Sequence, residues 1–206
     1  KESGQFDLYL DLQLKSLEEA KELKNYTHQL TILTNLYLYF QQIKDKNSAL
    51  LYLNEAESLT KLNDNIEHLG RINISKGALY RDFDKDYEKA LTYFNRAKEL
   101  LDPDNDFNYY AQLLDEEASL YMKMGRPDLS RKIYHQVADL SESRDQFKYL
   151  EANLKLIALD LKSGELAKGK DRLADIKQYD ISLLDFENIV KFKTVEAKIL
   201  KKDDQF

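Results

Sequence analysis

The segment Gly164-Glu-Leu-Ala-Lys-Gly169-Lys170 has the spacing G-x-x-x-x-G-K, in which backbone N–H groups and a lysine cradle nucleotide phosphates. The full pattern continues with Ser or Thr, whose hydroxyl holds magnesium, and here the next residue is Asp171. It also needs a strand before the loop, whereas Ala152–Lys162 reads as helix, so the two glycines are assigned to a turn and a close-packing position. Asp102-Pro-Asp104-Asn-Asp106 opens like a calcium loop. Its sixth and twelfth positions hold Phe107 and Leu113 instead of Gly and Glu, so an inter-repeat turn with cap residues is the better account. His28, His68 and His135 share no metal-ligand spacing, and no H-E-x-x-H is present. No serine sits in a nucleophile-elbow context. The run Asp115-Glu116-Glu117 reads as solvated or groove-facing helix surface, because carboxylates that work as acid and base need a pocket around them. The glycosylation patterns at Asn25 and Asn73 are set aside, the latter because it falls within a predicted helix. No catalytic residue, metal or cofactor is expected, and the chain reads as a non-enzyme.

What remains is to ask which elements such residues decorate. Among 206 residues there are two prolines, six glycines and no cysteine or tryptophan, against 14 tyrosines and nine phenylalanines. Helix breakers this rare favour long helices. The absence of cysteine excludes disulfides, thiolate metal sites and a cysteine nucleophile, and leaves the compartment open, cytoplasmic or extracytoplasmic. The balance of 31 basic and 37 acidic residues gives a net charge of −6, which disfavours direct nucleic-acid binding. No apolar run is long enough to cross a membrane.

A repeat organises the chain. Ala49–Leu53–Ala56 returns as Ala90–Phe94–Ala97, as Ser130–Tyr134–Val137 and, more weakly, as Gly169–Leu173–Ile176, after 41, 40 and 39 residues. An amphipathic segment with its own signature precedes each copy. Ala118-x-x-Tyr121 leads to Gly125, Pro127 and Ser130; Gly77-x-x-Tyr80 leads to Ala90 with one extra residue; Phe40 stands nine residues before Ala49. Small residues at these places let two helices approach, and the aromatic ring fills the groove between them. Gly125 suits a left-handed helix end and Pro127 a helix start, while Asp102-Pro103 closes one helix and Asp104 or Asp106 can cap the next.

The pattern predicts helices near 6–24, 26–44, 47–61, 64–83, 86–101, 106–124, 127–142, 145–163, 166–179 and 182–202. Residues 1–206 therefore read as a single array: a half-repeat over 5–24, units over 26–61, 64–101, 106–142 and 145–179, and a half-repeat over 182–203. The first half-repeat shows an apolar stripe at Phe6, Leu10, Leu14, Leu17 and Ala20, the last one at Leu184, Ile189, Phe192, Val195 and Ile199. Half-repeats at both ends, and a start at Lys1 rather than Met, lead to the expectation of a fragment of a longer protein.

On these residues the chain resembles the tetratricopeptide (TPR) repeat family, from about Tyr26 to Tyr179. Two departures are a period above the family's usual ~34 residues and the missing first-helix Trp. The resemblance implies an all-α fold, an α-solenoid in which antiparallel helix pairs wind into a right-handed superhelix. It also implies a protein- or peptide-binding scaffold that works through its concave face. Longer repeats of this kind suggest the sensor or regulatory part of a bacterial signal-transduction protein, with a self-assembly module, a homo-oligomer, as the alternative.

Aligning the units places Thr34, Leu38 and Gln41, then Arg71, Ile74, Ala78 and Arg81, then Gln112, Asp115, Ser119 and Met122, and finally Lys155, Leu159 and Lys162 on the concave face. Of these, Thr34, Gln41, Arg71, Ile74, Arg81, Gln112, Asp115, Met122, Lys155 and Lys162 are the expected partner-binding residues. Arginine forks suit carboxylates, and the mixed lining suits an extended peptide or a helix. TPR co-chaperones grip a C-terminal carboxylate with Lys and Asn. The matching positions here hold Thr34, Asn35, Leu38 and Gln42, and Ile74, Ser75, Ala78 and Asp82, of which Asn35 alone fits, so a chaperone tail is disfavoured.

Overall fold

The computed structural model describes residues 3–203. Among them lie ten α-helices and no strand: α1 Ser3–Glu22, α2 Tyr26–Gln42, α3 Lys46–Leu62, α4 Ile66–Leu79, α5 Tyr87–Leu100, α6 Phe107–Lys123, α7 Pro127–Ser141, α8 Gln146–Lys162, α9 Leu166–Ile176 and α10 Phe186–Asp203. A π-helical turn, Tyr80–Asp84, prolongs α4, and a 3-10 turn, Ile181–Leu183, precedes α10. The chain forms two compact units that divide between Leu113 and Leu114, within α6.

Helix boundaries follow from local chemistry. The side chains of Asn25, Asp45, Asn65, Asp86 and Asp145 each accept the backbone N–H three residues on, satisfying a donor that the helix start leaves unpaired. Arg126 offers no such oxygen, and Pro127 follows it with no N–H to satisfy. Within each repeat the turn passes through a left-handed residue, at Lys44, Lys85, Gly125 and Gly164 in order. The next residue then donates its N–H back to the carbonyl of Phe40, Tyr80, Tyr121 or Asp160. This bond identifies Asp160 as the fourth repeat's counterpart of the three aromatic residues. It spans five residues in three repeats and six in the second, so the extra residue there is absorbed by the π-helical turn.

The repeat frame is interior throughout. Ala49, Leu53, Ala56, Ala90, Phe94, Ala97, Ser130, Tyr134, Val137, Gly169, Leu173 and Ile176 are all buried. In the N-terminal unit α1 to α4 pack in sequence around Leu33, Leu36, Leu53 and Leu79, and α5 packs on α4. A methyl group at Gly77 would lie 2.4 Å from Cε1 of the fully buried Phe94, so this glycine sets the closeness of α4 and α5. In the C-terminal unit α8 to α10 pack around Leu150, Ile157, Ile176 and Phe192, and α7 packs on α8.

Three details differ from expectation. The interior line of α1 runs through Leu10, Leu17 and Ala20, while Leu14 turns to its exposed edge and the Phe6 side chain lies outside the described residues. The Asp106 carboxylate turns back to accept the Asp102 N–H, and Asp102 in turn accepts the N–H groups of Asp104 and Asn105. Helix α10 begins at Phe186 rather than 182, because Asp180 ties down the Ser182 N–H and Asp185 accepts that of Asn188.

Candidate functional site

The two motifs that could have carried chemistry are absorbed by the fold. Gly164 is a single left-handed turn residue (φ 80°) between α8 and α9, and Gly169 already lies inside α9, so no phosphate-embracing loop forms. The carboxylates of Asp102 and Asp106 accept backbone N–H groups of their own loop, which holds the Asp102 carboxyl below the usual range. Among the described residues no cluster of His, Asp or Glu could hold a metal ion, and no helix is long and apolar enough to cross a membrane.

In the N-terminal unit a cavity of about 40 Å³ opens between α2, α3 and α4. Leu30, Leu53, Ala56 and Ile72 form its apolar part, and Thr34, His68, Arg71 and Ser75 its polar part. His68, Arg71 and Ser75 fall at i, i+3 and i+7 of α4, which puts them on one helix face. Asn65 caps α4 through the His68 N–H and so fixes where that face begins. The Arg71 guanidinium stacks 4.4 Å from the Tyr109 ring and donates from Nη1 to Nε2 of His68 at 3.4 Å. Burial, and then the Arg71 charge, hold the His68 pKa below its ordinary value, favouring the neutral ring.

The C-terminal unit carries a cluster of opposite character. Lys155 on α8 donates to Asp115 on α6 at 2.9 Å, pairs with Glu151 at 3.2 Å and lies 5.3 Å from the Tyr134 ring centroid. Burial works against the ammonium, but Asp115 and Glu151 outweigh it and keep the Lys155 pKa raised. Burial pushes the Tyr134 hydroxyl up. These charges satisfy one another.

No protein-family model matches the chain, and no curated protein matches it either. Solved structures do. BtubC (BKLC) from P. vanneervenii superposes with a TM-score of 0.70 at 16% identity, over 86% of this chain and 74% of that one. A putative kinesin light chain with nearly identical TPR-like repeats from Podosopora anserina gives 0.60 at 13% identity, over 86% of this chain and 88% of its own. A variant of the latter gives 0.61 over a similar span. The fold is TPR-like.

In this TPR-like frame the expected partner-binding residues divide by exposure. Thr34 and Arg71 meet at the α2–α4 cavity, and Asp115 meets Lys155. Gln41 and Met122 are half-buried, and Gln112 and Lys162 are exposed. Ile74 is a correction: at 2% exposure it belongs to the interior, because α4 is covered on more than one side and has little surface left. Arg81 is a second one. It is buried in the π-helical turn, and its guanidinium is engaged by Asp82 through Nε at 2.9 Å and Nη2 at 2.8 Å. Ala78 and Leu159, placed on the same face, are interior too. The sequence reading missed His68 and Ser75 as neighbours of Arg71. Their common helix face was the signal that could have found them.

Proposed function

We propose that this chain is a protein- or peptide-binding scaffold that holds its partner along the concave face formed by the first helices of its TPR-like repeats. The observation that carries this reading is the α2–α4 cavity. Side chains from consecutive first helices converge there, with polar groups beside an apolar floor, which is how peptide grooves combine affinity with register. The net charge of −6 speaks against nucleic acid as the direct partner. Repeats of about 40 residues support the finer reading, a sensor or regulatory region of a bacterial signal-transduction protein.

The test is selection of binders from a displayed random-peptide library, followed by hydrogen exchange on the chain with the enriched peptide. Protection is expected on α2, α4, α6 and α8. Protection confined to α3, α5, α7 and α9 would sink the concave-face reading.

A second reading, self-assembly, draws on the terminal helices. Leu8, Leu12 and Leu23 at one end, and Phe186, Val190 and Leu200 at the other, are large apolar side chains left exposed, suited to pairing with a second copy. Sedimentation velocity over a hundredfold dilution series decides it. A concentration-independent monomer removes this reading.

A further inference from the structure

We propose that Arg71 and His68 form a subsite for one acidic side chain of the bound peptide. This rests on the scaffold reading above and names the chemistry of one of its contacts. Among the described residues four arginines are not exposed: Arg71, Arg81, Arg131 and Arg172. Arg81 holds Asp82, and Arg131 and Arg172 both face Asp160. Among the described residues Arg71 has His68 and Tyr109 as neighbours and no carboxylate within ion-pair distance. A half-buried guanidinium has lost part of its hydration, and the other three recover that loss from an anion.

The surroundings of Arg71 prepare it for one. Stacking on Tyr109 occupies the guanidinium face and limits its rotamers, leaving the N–H edges to make hydrogen bonds. Arginine has no acceptor, so the contact with His68 makes Nε2 the acceptor and puts the ring proton on Nδ1. Accepting that bond, His68 orients the Arg71 guanidinium, while its own Nδ1 is buried behind the ring, away from the Arg71 side. Ser75, one turn further along α4, adds a hydroxyl to the cavity wall. A cavity of about 40 Å³ exceeds the ~10–15 Å³ that one water needs, and has room for a carboxylate. The ligand class that satisfies the Arg71 N–H edge and the Ser75 hydroxyl beside an apolar wall is a carboxylate with an apolar stem, and the neighbouring groove supplies it as a Glu or Asp side chain of the peptide.

The experiment uses the whole chain, isotopically labelled, with NMR of the Arg71 Nε–H and the His68 ring. The probes are N-acetylglutamic acid N-methylamide, its glutamine counterpart, and N-acetylalanine as a chain-end carboxylate. Saturable shifts of both signals with the glutamic compound, at least about tenfold weaker with the glutamine compound, are expected. Arg71→Ala should abolish the His68 shift, and Arg71→Lys should weaken it while keeping the charge. Circular dichroism shows that the variants are folded, and Arg71→Lys serves if Arg71→Ala is not. Equal response to the glutamine compound, persistence in Arg71→Ala, or response to N-acetylalanine alone overturns the proposal. Library peptides that protect the first helices equally in Arg71→Ala and the parent would overturn the subsite and leave the scaffold reading standing. A positive probe result with no peptide binding would do the reverse.

Discussion

The second and fourth repeats solve one packing problem with opposite chemistry. In the second, Tyr80 stacks on Tyr93 with centroids 5.4 Å apart and planes 4° from parallel, as Phe40 stacks on Tyr52 in the first. In the fourth, the same two positions hold Asp160 and Arg172, whose Oδ2 and Nε are 3.6 Å apart, with Arg131 as a further partner of the carboxylate. Asp160 is fully buried. The rings of both stacked pairs are half-buried, and the consequences of damage differ as well. A ring that loses its partner loses contact area, whereas a buried carboxylate or guanidinium that loses its partner becomes an unpaired charge in a poorly solvating interior.

The largest expected effect breaks the charged member of this pair. Asp160→Ala should cost about 3–5 kcal/mol, read as a lowered midpoint in chemical denaturation. Converting the fourth repeat to the chemistry of the second, with Asp160→Tyr and Arg172→Tyr together, should recover part of that loss, since replacing a buried ion pair is often neutral while Arg131 keeps Glu165 as its partner. If the double variant is no better than the single one, the equivalence of the two positions is wrong.

Glycine positions extend the contrast. Gly77→Ala forces a methyl group into Phe94 and should destabilise by about 1–3 kcal/mol through overpacking. At Gly169 the same methyl would meet Leu161 at 3.5 Å, an ordinary contact, so Gly169→Ala should stabilise by about 0.5–1 kcal/mol through helix propensity. Between these two in size, Tyr93→Leu should lose about 0.5–1.5 kcal/mol of ring stacking. It should leave the C-terminal unit's hydrogen-exchange pattern unchanged.

The smallest effect is a titration. Burial, and then the Tyr179 hydrogen bond, push the Tyr149 hydroxyl up to about 12. An acid whose pKa is higher folded than unfolded contributes stability that is complete below the unfolded value, near 10. That stability is lost as pH rises through the folded value. Ultraviolet titration should show a late-ionising tyrosine fraction that shrinks in Tyr149→Phe, and alkaline unfolding of the parent should begin between those two values.

Much of this was legible in the chain. Ten helices, their turns and the twelve-residue interior frame follow from periodicity, caps and the spacing of small and aromatic residues, all of which act within a few turns of helix. The extra residue before Ala90 could also be counted, though only the backbone shows that a π-helical turn takes it up. The candidate surface was less legible. Thr34 and Arg71, expected on one face, line one cavity, whereas Ile74 and Arg81, expected on a free surface, are interior. A helix period states which residues share a face. It does not state how many neighbours cover that face.

Asp160 marks the boundary between the two kinds of knowledge. The sequence by itself determined the repeat, its helix pairs and the −6 charge, because hydrophobic period, capping and charge are properties of neighbouring residues. Tertiary structure decided that Asp160 is fully buried between two arginines, and that Arg71 stands against His68 and the Tyr109 ring rather than, among the described residues, a carboxylate. Partners of a charge come from other helices, at separations that no local pattern records, and it is those partners that make a charge structural or leave it able to bind.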